Sequence, residues 1–288
     1  MIDLHTHTTA SDGTFTFNEL VRGAERLKLK ALAITDHDTI KSAKRIDRAK
    51  SSVELIPGIE ITVFDDALGY KDIHVLGLFI DAANAALNSR LEALARERLS
   101  QKKATVEKLR ELGYSITFEE VKAEAQGSIG RPHIAKVLLR NHPAEFGSIS
   151  AVFVKLLGRG KDAYVERAEH FPLADAIRTI HGAGGLAILA HPDIYGYAPE
   201  KLLSDFKASG GDGVEVYYDY IRNRPEVKLA ESGNNRLIER YRSLAAELGL
   251  LESGGSDFHG ANKGQTLGEF GAPDGILAKL KSAMRKPL

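Results

Sequence analysis

His5 and His7 stand two residues apart in the segment Ile2-Asp3-Leu4-His5-Thr6-His7, and Asp12 follows just before Gly13. In an extended chain, residues i and i+2 point the same way, so both imidazoles can face one metal ion. Asp12 is close enough in sequence to reach a neighbouring ion. His37, Glu60, His74, His191, Asp257 and His259 extend the list, each in or just after a short apolar run. The chain has no cysteine, so only nitrogen and oxygen ligands are available. Such a set suits manganese, iron or zinc. These candidates are too many for one tetrahedral or octahedral ion, but suit two or three ions sharing a bridging carboxylate, for which Glu60 is the choice. Taken singly, His74 inside an apolar strand also fits a hydrogen-bonded core histidine, and Asp12 before Gly13 an ordinary turn residue. Taken together, burying so many ionisable groups at strand ends without a metal would leave charges unpaired at a large energetic cost.

The elements that must position these residues alternate. Leu20, Val21, Ala24 and Leu27 predict a helix over 17–29, with Thr16 or Asn18 as its N-cap. The run 31–35 is of the buried parallel-strand type and ends in Asp36-His37-Asp38. A mixed helix over 42–50 precedes a strand over 53–60, finished by Glu60, and a strand over 73–79 carries His74 inside it. From about Asn84 the texture becomes rich in Arg, Lys, Glu, Leu and Ala, predicting helices over 87–112, 117–125 and 132–139 and a helical insertion. Alternation then resumes with helices over 173–181, 199–208, 236–248 and 275–284. The strands among them cover 186–190, 213–216 and 250–253. About seven strands, most followed by a helix, predict a closed or nearly closed parallel barrel, with an open doubly wound sheet as competitor. The barrel is favoured because the candidate ligands end different strands, and in a barrel those ends converge on one mouth.

Composition narrows the function classes. The 288 residues can bury a sizeable core, and Lys plus Arg equals Asp plus Glu, 39 each, so no global field draws the chain towards nucleic acid or membrane. No run approaches a membrane span, and the first residues carry neither a basic nor an apolar leader pattern; the expectation is a cytoplasmic protein with no membrane or protein partner. No nucleophile elbow or Walker-type loop is present, which speaks against a covalent serine intermediate and against nucleotide-powered chemistry.

The His-x-His start, Ser11-Asp12-Gly13, Thr35-Asp36-His37-Asp38, Gly58-Ile59-Glu60, the strand histidine, Ala190-His191-Pro192 and Gly255-Ser256-Asp257-Phe258-His259-Gly260 resemble, in order, the motifs of the polymerase and histidinol phosphatase (PHP) family of metal-dependent phosphoesterases. The resemblance runs from residue 1 to about residue 270. It implies an α/β fold, a distorted (β/α)7 barrel of the PHP type over 1–84 and 163–288, with a helical insertion over 85–162 capping the active site. It also implies two or three divalent ions, Mn2+ by preference with Fe2+ or Zn2+ as alternatives. One would be held by His5, His7, Glu60 and Asp257, a second by Asp12, His37, Glu60 and His259, and a third by His74 and His191. Gly130-Arg131-Pro132-His133 and Gly158-Arg159-Gly160-Lys161 resemble the insert of members acting on nucleoside 3′,5′-bisphosphates and of relatives that trim short RNA from its 5′ end. That points to Arg131, His133 and Lys161, with Arg98, as phosphate-gripping residues. Read without the resemblance, Arg131 and Lys161 are ordinary solvated charges.

The expected activity is hydrolysis of the 3′-phosphate of a nucleoside 3′,5′-bisphosphate such as adenosine 3′,5′-bisphosphate. A metal-bridging hydroxide is expected to attack, with His191 or His133 neutralising charge and Asp36, His133 or bound water as proton source. The alternative is a 5′-to-3′ exoribonuclease on short 5′-phosphorylated oligonucleotides. A histidinol-phosphate phosphatase and a non-catalytic metal-binding scaffold rank lower, since the insert speaks against the first and the full ligand set against the second.

Overall fold

Alternation of small and large apolar residues places the strand over 31–34 between two cores. In β2 (Ala31–Ile34), Ala31 and Ala33 pack with Ile2, Leu4, Ile56 and Ile188 on one face. Leu32 and Ile34 pack on the other against Phe17, Leu20 and Ala24 of α1 (Phe17–Arg26). The period of two that sends neighbours to opposite faces is the reason, and burial on both sides explains why the strand reads as a continuous apolar run. In this computed structural model all residues are described except 126–128, 159, 167–170, 224–229, 261–265, 269 and 285–288. Arg159 of the insertion motif therefore lies outside the described residues.

The described chain forms one seven-stranded sheet in sequential order, β1-β2-β3-β4-β5-β6-β7. The remaining strands are β1 (Ile2–Asp3), β3 (Glu54–Asp65), β4 (Tyr70–Leu78), β5 (Leu186–Leu189), β6 (Gly213–Tyr217) and β7 (Leu251–Gly254). The pairs β1–β2, β2–β3, β5–β6 and β6–β7 are parallel. At the outer edges, Leu4 N–H donates to Gly254 O at 3.2 Å and His7 N–H to Phe258 O at 2.9 Å, but no continuous ladder joins β1 to β7.

Two features depart from an all-parallel expectation. β4 runs antiparallel to both β3 and β5. The cause is the short turn at residues 66–69, closed by Gly69 at φ +76°, because a parallel return would need a crossover of a dozen residues or more. β3 also runs on to Asp65 rather than stopping at Glu60: its first half pairs with β2 and its second half with β4. The segment expected as a mixed helix over 42–50 is a 3-10 helix, Ala43–Arg48.

The chain divides into two compact units, Met1–Arg90 with His170–Leu288, and Leu91–Glu169. The first holds the sheet, α1, α6 (Leu173–Gly182), α7 (Pro199–Ala208), α8 (Tyr220–Asn223), α9 (Glu231–Leu248) and α10 (Gly275–Ala283), and the start of α2 (Ala85–Glu111). The second contains the rest of α2, with α3 (Phe118–Glu124), α4 (Arg131–Asn141) and α5 (Ile149–Val152), which continues as a π-helical turn, Phe153–Leu157. Its own core includes Val106, Leu109, Val121, Ile134, Leu138 and Leu157. No helix among the described residues is long and apolar enough to cross a membrane.

Asp65 ties the hairpin to the helix that leads into β5. Its carboxylate accepts from Leu68 N–H at 3.0 Å and from Leu173 N–H at 3.0 Å, which caps α6 where Pro172 offers no side-chain cap. Asp65→Ala is expected to cost about 1–2 kcal/mol, as for loss of a helix cap, read as a lower urea midpoint with unchanged slope.

Candidate metal centre

Thr6 fixes the direction of the two leading histidines. Its hydroxyl donates to Ala33 O, and its N–H and carbonyl bond the Thr35 hydroxyl, both at 3.0 Å. With Thr6 pinned to β2, His5 and His7 on either side turn the opposite way. Both are fully buried. The β2–β3 pairing continues past the strand: Asp38 N–H donates to Glu60 O at 2.8 Å and Glu60 N–H to Asp36 O at 3.2 Å. This sets His37 beside Glu60. On β4, His74 pairs with Thr62 while Leu76 pairs with Glu60, so His74 and Glu60 are diagonal neighbours on one face. Because β4 is reversed, the residues of its first half lie at the end of the sheet where the parallel strands finish, and His74, midway along it, comes level with Thr62, just past Glu60.

All of these meet at one carboxylate. Glu60 Oε2 lies 3.4 Å from His5 Nε2, 3.3 Å from His7 Nε2 and 2.9 Å from His37 Nδ1. Its Oε1 lies 2.9 Å from His74 Nδ1 and 3.0 Å from His191 Nε2. Asp257 Oδ1 stands 3.1 Å from His7 Nε2 and 3.4 Å from His5 Nε2, and Asp12 Oδ1 is 3.2 Å from His259 Nε2. Four overlapping groups have donor atoms close enough to share an ion: His7, Asp12, His37 and His259; His5, His191 and Asp257; His5, His7 and Glu60; His37, Glu60 and His74. The structure thus brings together all nine side chains singled out in the sequence. His7 joins the Asp12 group, and His191 joins His5 and Asp257, which differs from the division expected among three ions.

The donor chemistry fits divalent cations. His5 Nε2, both ring nitrogens of His7 and Glu60 Oε2 are buried with no hydrogen-bond partner, a costly arrangement in a protein interior. Three ring orientations are fixed from behind. His5 Nδ1 sits between the two Glu215 oxygens at 3.1 and 3.2 Å, and His259 Nδ1 faces Asp257 O at 2.8 Å. These partners only accept, so Nδ1 carries a proton in both rings and Nε2 is the nitrogen left facing the cluster. His191 Nδ1 lies 2.9 Å from the Tyr195 hydroxyl, which also accepts from His74 N–H at 2.8 Å and donates to Ala190 O at 3.1 Å. With its proton given to Ala190, that hydroxyl can accept from His191 as well.

The electrostatics are tightly coupled. Burial lowers the His5 pKa, but Glu215, Glu60 and Asp257 outweigh it and raise the imidazole well above its usual range. Burial is likewise outweighed by Glu60 at His37 and His74, both raised. His7 goes the other way, down to about 3, through burial and the neighbouring His259 and His37. Burial works against ionisation of Glu60 and Asp257, yet the surrounding imidazoles hold both well below the carboxylate range. Three ligand or neighbouring backbones are left-handed: His191 at φ 26°, Asp257 at φ 53° and Asp38 at φ 49°. Such conformations persist in non-glycine residues only when the surroundings enforce them. Gly255 allows the β7 loop to pass His5, since a Cβ there would stand 2.4 Å from His5 N.

Other expected residues take different places. Asp36, expected as a proton source, uses both oxygens on Thr8 and Ser11: Oδ1 accepts from Thr8 N–H at 2.8 Å and the Ser11 hydroxyl at 2.7 Å, and Oδ2 from the Thr8 hydroxyl at 2.8 Å. It shapes the loop that carries Asp12 and belongs to none of the four groups. Arg98, Arg131, His133 and Lys161 all lie in the Leu91–Glu169 unit. There the Arg131 guanidinium sits 5.8 Å from the Tyr164 ring centre, His133 Nδ1 accepts from Gly130 N–H at 2.9 Å at the start of α4, and Lys161 is exposed. Sequence reasoning missed Glu215, Tyr195 and the role of Tyr218, whose hydroxyl donates to Asp257 Oδ2 at 2.8 Å. One signal was present: a glutamate inside the apolar strand Gly213-Val214-Glu215-Val216 is rarely buried without a partner.

Because His5, His37 and His74 hold protons more tightly than ordinary histidines, a metal must displace those protons. Affinity for manganese or zinc is therefore expected to rise with pH across the neutral range, with protons released on binding, as calorimetry in buffers of different ionisation enthalpy would show. Gly255→Ala is expected to lower metal occupancy by pushing the β7 loop off His5, measured by elemental analysis of the purified variant.

A family model described as PHP domain matches residues 3–188, a span that stops short of His191, Asp257 and His259. A Haemophilus influenzae protein named 5′-3′ exoribonuclease is 36% identical over 271 residues, covering 89% of each chain. A Chromobacterium violaceum protein named 3′,5′-nucleoside bisphosphate phosphatase is 31% identical over 272 residues, covering 91% of this chain and 88% of the other. A solved Bifidobacterium adolescentis structure, described as a candidate metal-dependent phosphoesterase, superposes with a TM-score of 0.76 at 28% identity over 99% of this chain and 96% of that one. The matched span and these identities show that the chain belongs to the PHP domain family.

Proposed function

We propose that this chain is a metal-dependent phosphoesterase that removes the 3′-phosphate of nucleoside 3′,5′-bisphosphates such as adenosine 3′,5′-bisphosphate. The observation that carries the reading is the convergence of His5, His7, His37, His74 and His191 on the two oxygens of Glu60, with ligand-type atoms of His5, His7 and Glu60 buried against one another. The Chromobacterium violaceum relative named as a bisphosphate phosphatase supports the substrate class. The proposed fold around the site is the distorted (β/α)7 barrel, supported by the two backbone bonds that Leu4 and His7, just after β1, donate to Gly254 of β7 and to Phe258 in the loop after it.

Two or three divalent ions, manganese by preference, would supply an acidified water and positive charge for the phosphoryl oxygens. The chain's own residues do the positioning. His5, His7 and Glu60 are fully buried, whereas the side chains of Asp12, His37 and His74 are 44%, 20% and 19% exposed. The phosphoryl group therefore meets the cluster on the side of those three residues. Asp12 stays ionised: although burial opposes its charge, His259, His37 and His7 hold its pKa far below the usual range. His191, buried with its Nε2 facing Glu60, is the proposed residue for neutralising charge on the phosphoryl group indirectly, through an ion it would help to hold. Arg131, Lys161 and Arg98 are the proposed phosphate-binding cations, with the forked guanidinium of Arg131 first among them.

The second reading is a 5′-to-3′ exoribonuclease acting on short 5′-phosphorylated RNA. It is favoured by the 36% identity to the Haemophilus influenzae protein of that name. Both reactions break a phosphoester on the 3′ side of a nucleotide, so one site can serve both.

The manganese-loaded protein is expected to release inorganic phosphate from adenosine 3′,5′-bisphosphate, and a chelator to abolish the release reversibly. Arg131→Ala is expected to lower kcat/KM about 10- to 100-fold, the value of a charged hydrogen bond lost at the substrate. Mononucleotides from a 5′-phosphorylated trinucleotide, with little phosphate from the small substrate, would move the assignment to the exoribonuclease. Inactivity on both with metal bound would sink the two readings together.

A further inference from the structure

Glu215 is fully buried in the middle of β6 and belongs to none of the four groups of prospective ligands. Its contacts are specific. Oε1 and Oε2 lie 3.1 and 3.2 Å from His5 Nδ1, and Oε2 also accepts the His191 backbone N–H at 2.8 Å. One carboxylate thus touches two residues that reach the cluster from different strands, one through its ring and the other through its backbone.

We propose that Glu215 is a positioning residue for the metal centre, setting the His5 ring with Nε2 towards the ions and holding the left-handed backbone of His191. The inference rests on the metal-centre reading above. The chemistry requires an acceptor at both contacts. A histidine that ligates through Nε2 must carry its proton on Nδ1, and a carboxylate there fixes both the tautomer and the ring plane. His191 at φ 26° and ψ 59° occupies a conformation that a non-glycine residue keeps only when neighbours hold it. The Glu215 oxygen at its N–H is one such neighbour. The rigid mounting of Glu215 matters as well: it pairs with Ser253 of β7, and the β6–β7 register shifts between Glu215 and Tyr217. The shift lets Tyr218, just beyond β6, reach Asp257.

Glutamine separates positioning from packing. It has the same shape as glutamate, but with an oxygen kept at the His191 N–H its amide nitrogen stands where Oε1 was, setting a donor against the His5 Nδ1 proton and leaving one oxygen to serve both residues. Glu215→Gln is therefore expected to fold, with a melting temperature in chelator close to that of the wild type. Its affinity for zinc or manganese, measured by competition with a chromophoric chelator, should fall about 10- to 100-fold. In the zinc-loaded, 15N-histidine-labelled protein, the hydrogen-bonded His5 Nδ1 proton should resonate at low field in the wild type and move upfield in Glu215→Gln. Wild-type affinity together with an unmoved proton resonance in the variant would overturn the proposal while leaving the metal centre standing. A wild-type protein that binds neither metal would overturn the metal centre and this inference with it.

Discussion

The Glu60 carboxylate is fully enclosed, with five imidazoles within 3.4 Å of its two oxygens, and much of the sheet can be understood as the means of bringing them there. An ionised carboxylate taken out of water is expensive unless it is surrounded by compensating charge. No single element could supply five partners, since a strand offers one face at every second residue. Parallel strands ending at a common edge can, and the reversed β4 adds His74 from the opposite chain direction. The Thr6–Thr35 bonds and the Asp36 contacts to Thr8 and Ser11 then make the strand ends rigid enough for the rings to converge.

Behind the inner ring stands a layer of acceptors and donors. Glu215 backs His5, Asp257 O backs His259, the Tyr195 hydroxyl lies against His191 and the Tyr218 hydroxyl holds Asp257. Each contact removes a rotational freedom that a bare ligand would keep. The backbone cost is visible too, in the left-handed conformations of His191 and Asp257. Strain at these two positions, both aimed at Glu60 or its neighbours, is what a site over-determined by its surroundings looks like.

Much of this was legible in the sequence because imidazoles and carboxylates at the ends of apolar runs are conspicuous. His5 with His7, Glu60 after Pro57-Gly58-Ile59, and His191 after 186–190 carry the signal in residue type and place alone. The helices were legible for similar reasons: Thr16 with Glu19 forms a capping box, as does Thr117 with Glu120. The direction of β4 was not, because the turn at 66–69 contains a single glycine and the run 61–65 has no break before it. The loop contacts of Asp36 were not legible either, since a carboxylate beside a ligand histidine has the same composition whether it faces the ions or bonds Thr8 and Ser11. Glu215 stood out only as a carboxylate inside an apolar strand; its partners, a ring nitrogen 210 residues away and a backbone amide, leave no local pattern.

Cations near Glu60, Asp257 and Asp12 would balance those negative charges directly. Without them, His5, His37 and His74 retain protons beyond the usual imidazole range, and those protons provide the balance. His7, crowded by His259 and His37 and fully buried, goes the other way, down to about 3. Protons and metals are therefore alternative sources of the same positive charge around Glu60. The partly exposed His37 and His74 mark the side through which one can replace the other, while the buried His5 and its Glu215 backing keep the frame in place during the exchange.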